Sequence, residues 1–379
     1  MPWQEHTLMD QRGEFVVAAA HGAISFQELC RRTGISRKTG YKWCARAAAE
    51  GSSGLADRSR RPHRSPTQTG GAVTDYVLTL RRQHPAWGGR KIHDRLVQQG
   101  RGPVPAPSTV TDILRRHGLL PARDSTPRRW QRFEHAAPNE LWQLDFMGHL
   151  PVETGQRVHP LTLLDDHSRF ALSLVACPHE RQSLVHALLT AAFTRYGLPR
   201  AILTDNGPPW GTSGAGGVTA LEAWLLRLGI ALWHGRAYHP QTQGKVERLH
   251  RTIAAEVFAQ RHFADLARCQ AALDRFRTVY NLERPHAALP DHRPPSSRYH
   301  PSPRPFPTTL PPVSYGPEDQ VRKVRGQGAI SFQNQIHFVG TGLIGEFVAV
   351  RPTATDGVFA IVYCHQQVGA IDHTIPTRV

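Results

Sequence analysis

The sequence predicts a multidomain protein: N-terminal all-α units, a central α/β domain and a small C-terminal β-barrel, with a sandwich as the alternative for the last. Three observations point there. At 379 residues the chain exceeds what one small core can bury. Short helix-period segments closed by glycine fill the first 120 residues, and from Pro138 apolar strand-like runs alternate with helical ones. Beyond Pro312 strand-like runs follow one another with no helical segment between them.

Residues 1–56 read as three helices. GEFVVAAAHG closes at Gly22 and ISFQELCRRTG at Gly34; ISRKTGYKWCARAAAEG follows with Ser36 at the N-cap position. The short TGIS turn makes a helix-turn-helix pattern whose third helix exposes Arg37, Lys38, Tyr41 and Lys42 for a DNA major groove. A plain three-helix core is the alternative. Residues 57–72 form a basic, proline-punctuated linker in which Arg58, Arg60 and Arg61 suit phosphate contacts or simple solvation.

A second helical unit spans residues 73–120: AVTDYVLTLRRQHP, GGRKIHDRLVQQG and PAPSTVTDILRRHG, with Ser108 as the expected N-cap and Gly118 closing the last helix. Trp87 is expected in the core. Arg90, Lys91, Thr109, Thr111, Arg115 and Arg116 are the candidate DNA contacts of this second helix-turn-helix unit. A linker, 121–137, leads to the α/β domain at 138–290.

In that domain LWQLDF is the first strand, and a hairpin turns around Asp165, Asp166, His167 and Ser168. A helix closed by Gly197, a strand ending at Asp205, a Gly-rich loop at 208–217, a helix, the short strand IALWH and two further helices complete it. In the stretch HPQTQGKVERLHRTI, Val246, Leu249, Ile253 and Val257 fall on one helical stripe. Glu247 is roughly 100° around from Val246, at the edge of that stripe, where an acid can lean into a cleft while its helix stays anchored. Asp145 and Asp205 each finish an apolar run. Three acids carried by two strands and a helix suit a two-metal phosphoryl-transfer site. His239, Gln241, Lys245, Arg248 and Arg251 are candidate DNA contacts beside them, although His239 also suits a cap of the turn at Pro240.

Residues 291–312 read as a proline-rich, extended spacer. The β-domain, 313–379, carries an Asp356-Gly357 hairpin turn and the cations Arg322, Lys323, Arg325 and Arg351 as possible DNA contacts.

The chain has 46 Lys plus Arg against 30 Asp plus Glu, a formal charge of +16 and a pI near 10.4, which favours a polyanionic partner, nucleic acid before membrane. A GC-rich genome explains a choice of Arg over Lys but not the excess of cations over anions. Five scattered cysteines without a C-x-x-C pair suit a reduced cytoplasm and no structural zinc. With no long apolar run, a soluble intracellular protein is expected.

LWQLDF, LDDHSRF, ILTDNG, HPQTQGKVERLHRT and YNLERPHAAL, in that order, resemble the catalytic core of insertion-sequence transposases related to retroviral integrases, the DDE enzymes with an RNase H-like fold. The resemblance spans about 138–290. It implies that Asp145, Asp205 and Glu247 are the catalytic, metal-binding triad, holding two Mg²⁺ or Mn²⁺ ions, with Asp145 bridging both. It also implies 3′-end cleavage and strand transfer without a covalent enzyme–DNA intermediate. Expected partners are double-stranded DNA, as element-end inverted repeats and target, and further copies of the chain in a dimer or higher oligomer. A prokaryotic cytoplasmic, nucleoid-associated setting follows.

Between the aspartates lie 59 residues, and between Asp205 and Glu247 lie 41, a second gap somewhat longer than the family's usual one. The Gly-rich loop at 208–217 accommodates the excess, and Glu222 is a rival for the third acid that lacks the GKVER context. The His/His/Cys/Cys zinc domain of retroviral integrases is absent, which favours a transposase. Asp165 and Asp166 are expected to be turn acids, Asn206 structural and His286 a packing residue. Two other classes remain: a regulatory DNA-binding protein without catalysis, and an RNase H-like nuclease that only hydrolyses.

Overall fold

The computed structural model describes residues 7–59, 69–120, 134–205, 207, 210, 216–234, 244–259 and 262–374, in two compact units, 1–68 and 69–379.

In the first unit, α1 (Leu8–His21) begins earlier than GEFVVAAAHG implies. Thr7 and Asp10 make a reciprocal capping box that carries the helix back over the polar LMDQR stretch. α2 (Phe26–Arg32) and α3 (Arg37–Glu50) follow, the latter capped by Ser36, which accepts from Thr39 N. A Cβ at Gly40 would sit 2.9 Å from Phe15, Phe26 and Cys30, so only glycine lets α3 approach the other two helices this closely.

The second unit opens with α4 (Gly71–Gln83), α5 (Gly89–Gln98) and α6 (Pro107–Arg116) around buried Trp87, Ile92 and Leu114. Ser108 is not the N-cap of α6. Ala106 takes that position with Pro107 at N1, where a missing N–H costs nothing and φ is already helical. The bundle packs on the central domain. Arg95 pairs with Glu283 at 2.6 Å, His292 with Asp94 at 2.9 Å, and Val279 joins the bundle's core.

The central sheet is built from β1 (Leu141–Phe146), β3 (Arg157–Asp165), β4 (Ala171–Cys177), β5 (Ala201–Thr204) and β6 (Ala231–His234), with β2 (Leu150–Pro151) beside the start of β3. Its order is β4-β3-β1-β5-β6. The hairpins β1–β3 and β3–β4 are antiparallel, while β1–β5 and β5–β6 are parallel. Trp142 and Leu144 pack with α7 (Gln182–Tyr196) and α8 (Ala220–Arg227) on one face. Leu164 and Leu174 pack with α9 (Gly244–Ile253), its π-helical continuation Ala254–Phe258 and α10 (Leu266–Leu282) on the other. Strand residues alternate faces, so Gln143 and Asp145 point toward α9. The stripe Val246, Leu249, Ile253 and Val257 is buried throughout, as its period predicts.

The proline-rich segment after residue 290 is not a free spacer. Tyr299, Phe306 and Leu310 pack against the central core, and Arg304 donates to the carbonyls of Pro199, Leu228 and Gly229. Apolar side chains interspersed among the prolines give an extended chain something to bury.

The expected C-terminal barrel does not close among the described residues. β7 (Gln320–Lys323), β10 (Phe347–Pro352), β11 (Val358–Tyr363) and β12 (Gln366–Asp372) form an open four-stranded sheet, order β12-β11-β10-β7. β8 (Ala329–Phe332) and β9 (Gln335–Phe338) form a separate ribbon. Strands of four to seven residues with a bulge at Ile361/Val362 leave two edges instead of one continuous wall. The shared core includes Val218, Ala223 and Leu226 from the α8 region. The β10–β11 hairpin turns near Gly357, whose φ of 76° suits a residue without Cβ.

Candidate active site

Asp145 and Asp205 end up side by side because of strand register. Gln143 on β1 pairs with Leu203 on the parallel β5, and each aspartate lies two residues beyond its partner of that pair. Continued past that pair, the register brings both to the carboxyl ends of neighbouring strands, where the Asp205 charge acts on Asp145. Asp145 is largely covered, with a side-chain exposure of 19%. Asp205 stands more open at the strand end, where Gly207 N–H helps to hold its carboxylate.

Glu247 lies in the first turn of α9 and is exposed. The Asp145 carboxyl is pushed up to about 7, first by burial, then by the negative charges of Asp205, Glu247 and Glu180. Partial burial raises Asp205 too. The Glu222 carboxyl is raised by burial, with the His234 charge acting against that rise. No Lys or Arg pairs with Asp145, Asp205 or Glu247 among the described residues. Nor do three His, Cys, Asp or Glu side chains there stand close enough to surround a cation. The three acids share a field while remaining an open arrangement.

Two further groups lie beside these acids. Gln143, fully buried, accepts from Val246 N at 3.1 Å and donates to Asp166 Oδ1 at 2.8 Å, tying β1 to the start of α9. His250, one turn after Glu247, reaches β1 and β3: its Nε2 is 2.8 Å from Thr162 Oγ1 and its Nδ1 is 3.8 Å from Asp145 Oδ2. Burial lowers this imidazole to about 4. Near the aspartates, Trp210 is buried against Phe146 with ring centroids 5.5 Å apart. The i+3 spacing from Glu247 put His250 within reach of the same face, a signal present in VERLH. Gln143 and Thr162 carry no such mark in the sequence.

The remaining candidates divide. Arg37, Lys38, Tyr41 and Lys42 are all exposed on α3. Tyr41 stacks on Phe26 at 4.2 Å and Lys42 lies over the Trp43 ring at 4.1 Å. Arg58 is exposed and pairs with Glu50. Arg90, Arg115 and Arg116 are exposed, with Arg115 paired to Asp112, while Thr109 is half-buried. Thr111 belongs to packing: it donates to Pro107 O at 2.7 Å, and a Cβ on Gly89 would collide with it. Lys91 is drawn inward at the junction with the central domain. Burial, with Arg284 nearby, lowers it to about 8.

Lys245 also departs from expectation. It does not face outward; its ammonium sits 2.5 Å from Asp166 Oδ2, and Asp166 is fully buried. Burial lowers this lysine to about 8, and the Asp166 carboxylate offsets only part of that cost. Arg248 and Arg251 remain exposed on α9. Asp165 is a turn acid as expected, its Oδ1 accepting from both N and Oγ of Ser168 at 2.7 and 2.6 Å, whereas the Asp166 carboxylate leaves the turn to meet Gln143 and Lys245. His286 is packed beside Tyr280. In the β-domain Arg351 pairs with Asp319, and the Arg322 guanidinium lies over Phe332. Arg60, Arg61, Asn206, His239 and Gln241 lie outside the described residues.

Several stretches of this chain resemble known proteins. Integrase core domain profiles match residues 135–240 and 228–295, covering both aspartates and Glu247. A helix-turn-helix domain matches residues 11–63, a homeodomain-like domain 39–114, and the C-terminal domain of IS481 family transposases 319–377. The insertion element IS407 uncharacterized 31.7 kDa protein of Burkholderia multivorans is 31% identical over 153 residues, 40% of this chain and 53% of its own length. The insertion element IS476 uncharacterized 39.2 kDa protein of Xanthomonas euvesicatoria is 24% identical over 240 residues, 62% of this chain and 67% of its own. The chain thus spans about half the first relative and two thirds of the second. Among solved structures, the HTLV-2 integrase catalytic core domain in complex with magnesium (trimeric form) aligns at 17% identity and a TM-score of 0.32, covering 44% of this chain and 99% of that one. No helix among the described residues is long and apolar enough to cross a membrane.

Proposed function

We propose that this chain, which resembles insertion-sequence transposases with an integrase-like core, is a DDE transposase. It binds the terminal inverted repeats of a mobile element, cleaves their 3′ ends and joins them to target DNA. The observation that supports this most is the register pairing of β1 with β5, which sets Asp145 beside Asp205 on the face that α9 covers with Glu247.

The donor set suits a hard divalent cation. Carboxylates without Lys or Arg partners among the described residues, one of them raised to about 7 by burial and by its neighbours, carry negative charge that a cation would relieve. Asp145, Asp205 and Glu247 would hold Mg²⁺ or Mn²⁺, two ions per site. Bound there, the cations would neutralise the phosphodiester and align its attacking and leaving oxygens. The protein's own side chains supply position. Gln143 keeps α9 against β1, and the exposed Arg248 and Arg251 take the phosphate backbone beside Glu247. Water attacks the scissile phosphorus at the element end and frees a 3′-hydroxyl. That hydroxyl attacks a target phosphodiester, releasing one target 3′-oxygen as leaving group.

The two helical units, 1–56 and 73–120, supply sequence recognition through Arg37, Lys38, Tyr41, Arg90, Arg115 and Arg116. Pairing two element ends calls for a homo-oligomer on DNA, and the setting is a bacterial cytoplasm. The test incubates purified protein with a labelled inverted-repeat end, supercoiled plasmid and Mg²⁺ or Mn²⁺. Cation-dependent joining is expected. Binding without joining would mark a regulator, and cleavage without joining a nuclease.

A further inference from the structure

Thr162 lies on β3 opposite Asp145 and is fully buried. Its hydroxyl donates to the Asp145 carbonyl oxygen at 3.0 Å. A hydroxyl has one proton to give, so the 2.8 Å contact with His250 Nε2 is donated by the ring. The neutral imidazole then carries its proton on Nε2, and Nδ1 presents a lone pair. That lone pair stands 3.8 Å from Asp145 Oδ2, another acceptor. The separation is too long for a direct hydrogen bond, but one water can donate to both atoms.

We propose that His250 is a positioning residue for Asp145. Thr162 holds the ring in its Nε2–H form, and Nδ1, through a bridging water, anchors Oδ2 so that the other carboxylate oxygen faces the cation site. The assignment rests on the cation-binding role of Asp145 given above. It differs from a packing role in depending on one ring nitrogen. An Asn side chain reaches where Nδ1 lies, whereas a Gln side chain reaches where Nε2 lies.

The test measures Mn²⁺ affinity of the full-length protein on an inverted-repeat duplex, by paramagnetic resonance of free Mn²⁺, alongside thermal unfolding. The variants are His250→Asn, His250→Gln and, as reference, Asp145→Asn. His250→Gln should unfold with the wild type yet bind Mn²⁺ ~10-fold more weakly or worse, while His250→Asn stays within ~3-fold of wild type, the scale for a residue supporting a metal ligand. Wild-type affinity in His250→Gln, or equal losses in both His250 variants, would overturn the proposal. Should His250→Gln unfold early, His250→Ala takes its place: lost affinity there beside retained affinity in His250→Asn supports the assignment, and equal affinities in the two reject it. If Asp145→Asn binds Mn²⁺ like wild type, the reading of the acids fails and this proposal with it. If Asp145→Asn weakens binding and His250→Gln does not, only the role of His250 falls.

Discussion

Val246 N donates to Gln143 Oε1 at 3.1 Å across 103 residues of sequence, and the same side chain donates to Asp166 Oδ1 at 2.8 Å. One buried amide thus joins the first strand, the β3–β4 turn and the first turn of α9. Gln143 and Asp145 share a face of β1, so this bond also sets where Glu247 and His250 sit relative to Asp145. Gln143→Leu leaves a buried N–H unpaired and a buried carboxylate short of a donor. The expected cost is ~2 kcal/mol or more in urea denaturation. An unchanged midpoint would remove Gln143 from this role.

Lys245 and Asp166 make a buried ion pair at 2.5 Å. Lys245→Met is expected to destabilise the fold by ~3 kcal/mol, because the carboxylate stays buried without its cation. The salt dependence of DNA affinity in the folded variant should match wild type. A shallower salt slope would return Lys245 to the phosphate contacts.

Arg248 and Arg251, exposed on the same helix, should behave in the opposite way. Replacing either by Ala is expected to leave stability within ~0.5 kcal/mol. Each change should lower the slope of log affinity against log salt by ~0.9, one phosphate contact apiece. Filter binding between low and moderate salt measures this directly.

Burial and the charge of Asp205, with Glu247 adding to them, raise Asp145 from 3.8 to about 7. Between those values the folded chain binds a proton that the unfolded chain has lost. Stability of the cation-free protein therefore falls as pH rises through that window and levels off above it. Asp145→Asn removes the slope. In chelator, its gain over wild type should be on the order of 3 kcal/mol at about pH 8 and smaller at about pH 5. Equal gains at both would show that Asp145 titrates normally.

Asp145→Asn, Asp205→Asn and Glu247→Gln each withdraw one ligand while keeping shape. Loss of several kcal/mol of charge stabilisation corresponds to a ~10³-fold fall in joining. Gel-shift affinity for the inverted repeat in chelator should stay near wild type. A variant that joins at full rate would not belong to the triad.

Much of this is legible in the sequence. The buried stripe Val246, Leu249, Ile253 and Val257, the Ser36 cap and the Asp165–Ser168 turn follow from period and local hydrogen-bonding chemistry within a few residues. So does the choice of Asp145 and Asp205 as strand-end acids. Tertiary structure alone decided which polar groups look inward. Lys245 finds Asp166, Lys91 is drawn toward the central domain, and His250 meets Thr162 and Asp145. It also decided that the last strands form an open sheet and a ribbon instead of a barrel. The cause is common to all of these. Local propensity acts over a helical turn or a strand repeat, whereas a buried charge or an unpaired strand edge takes its partner from whatever the folded chain brings within a few ångströms.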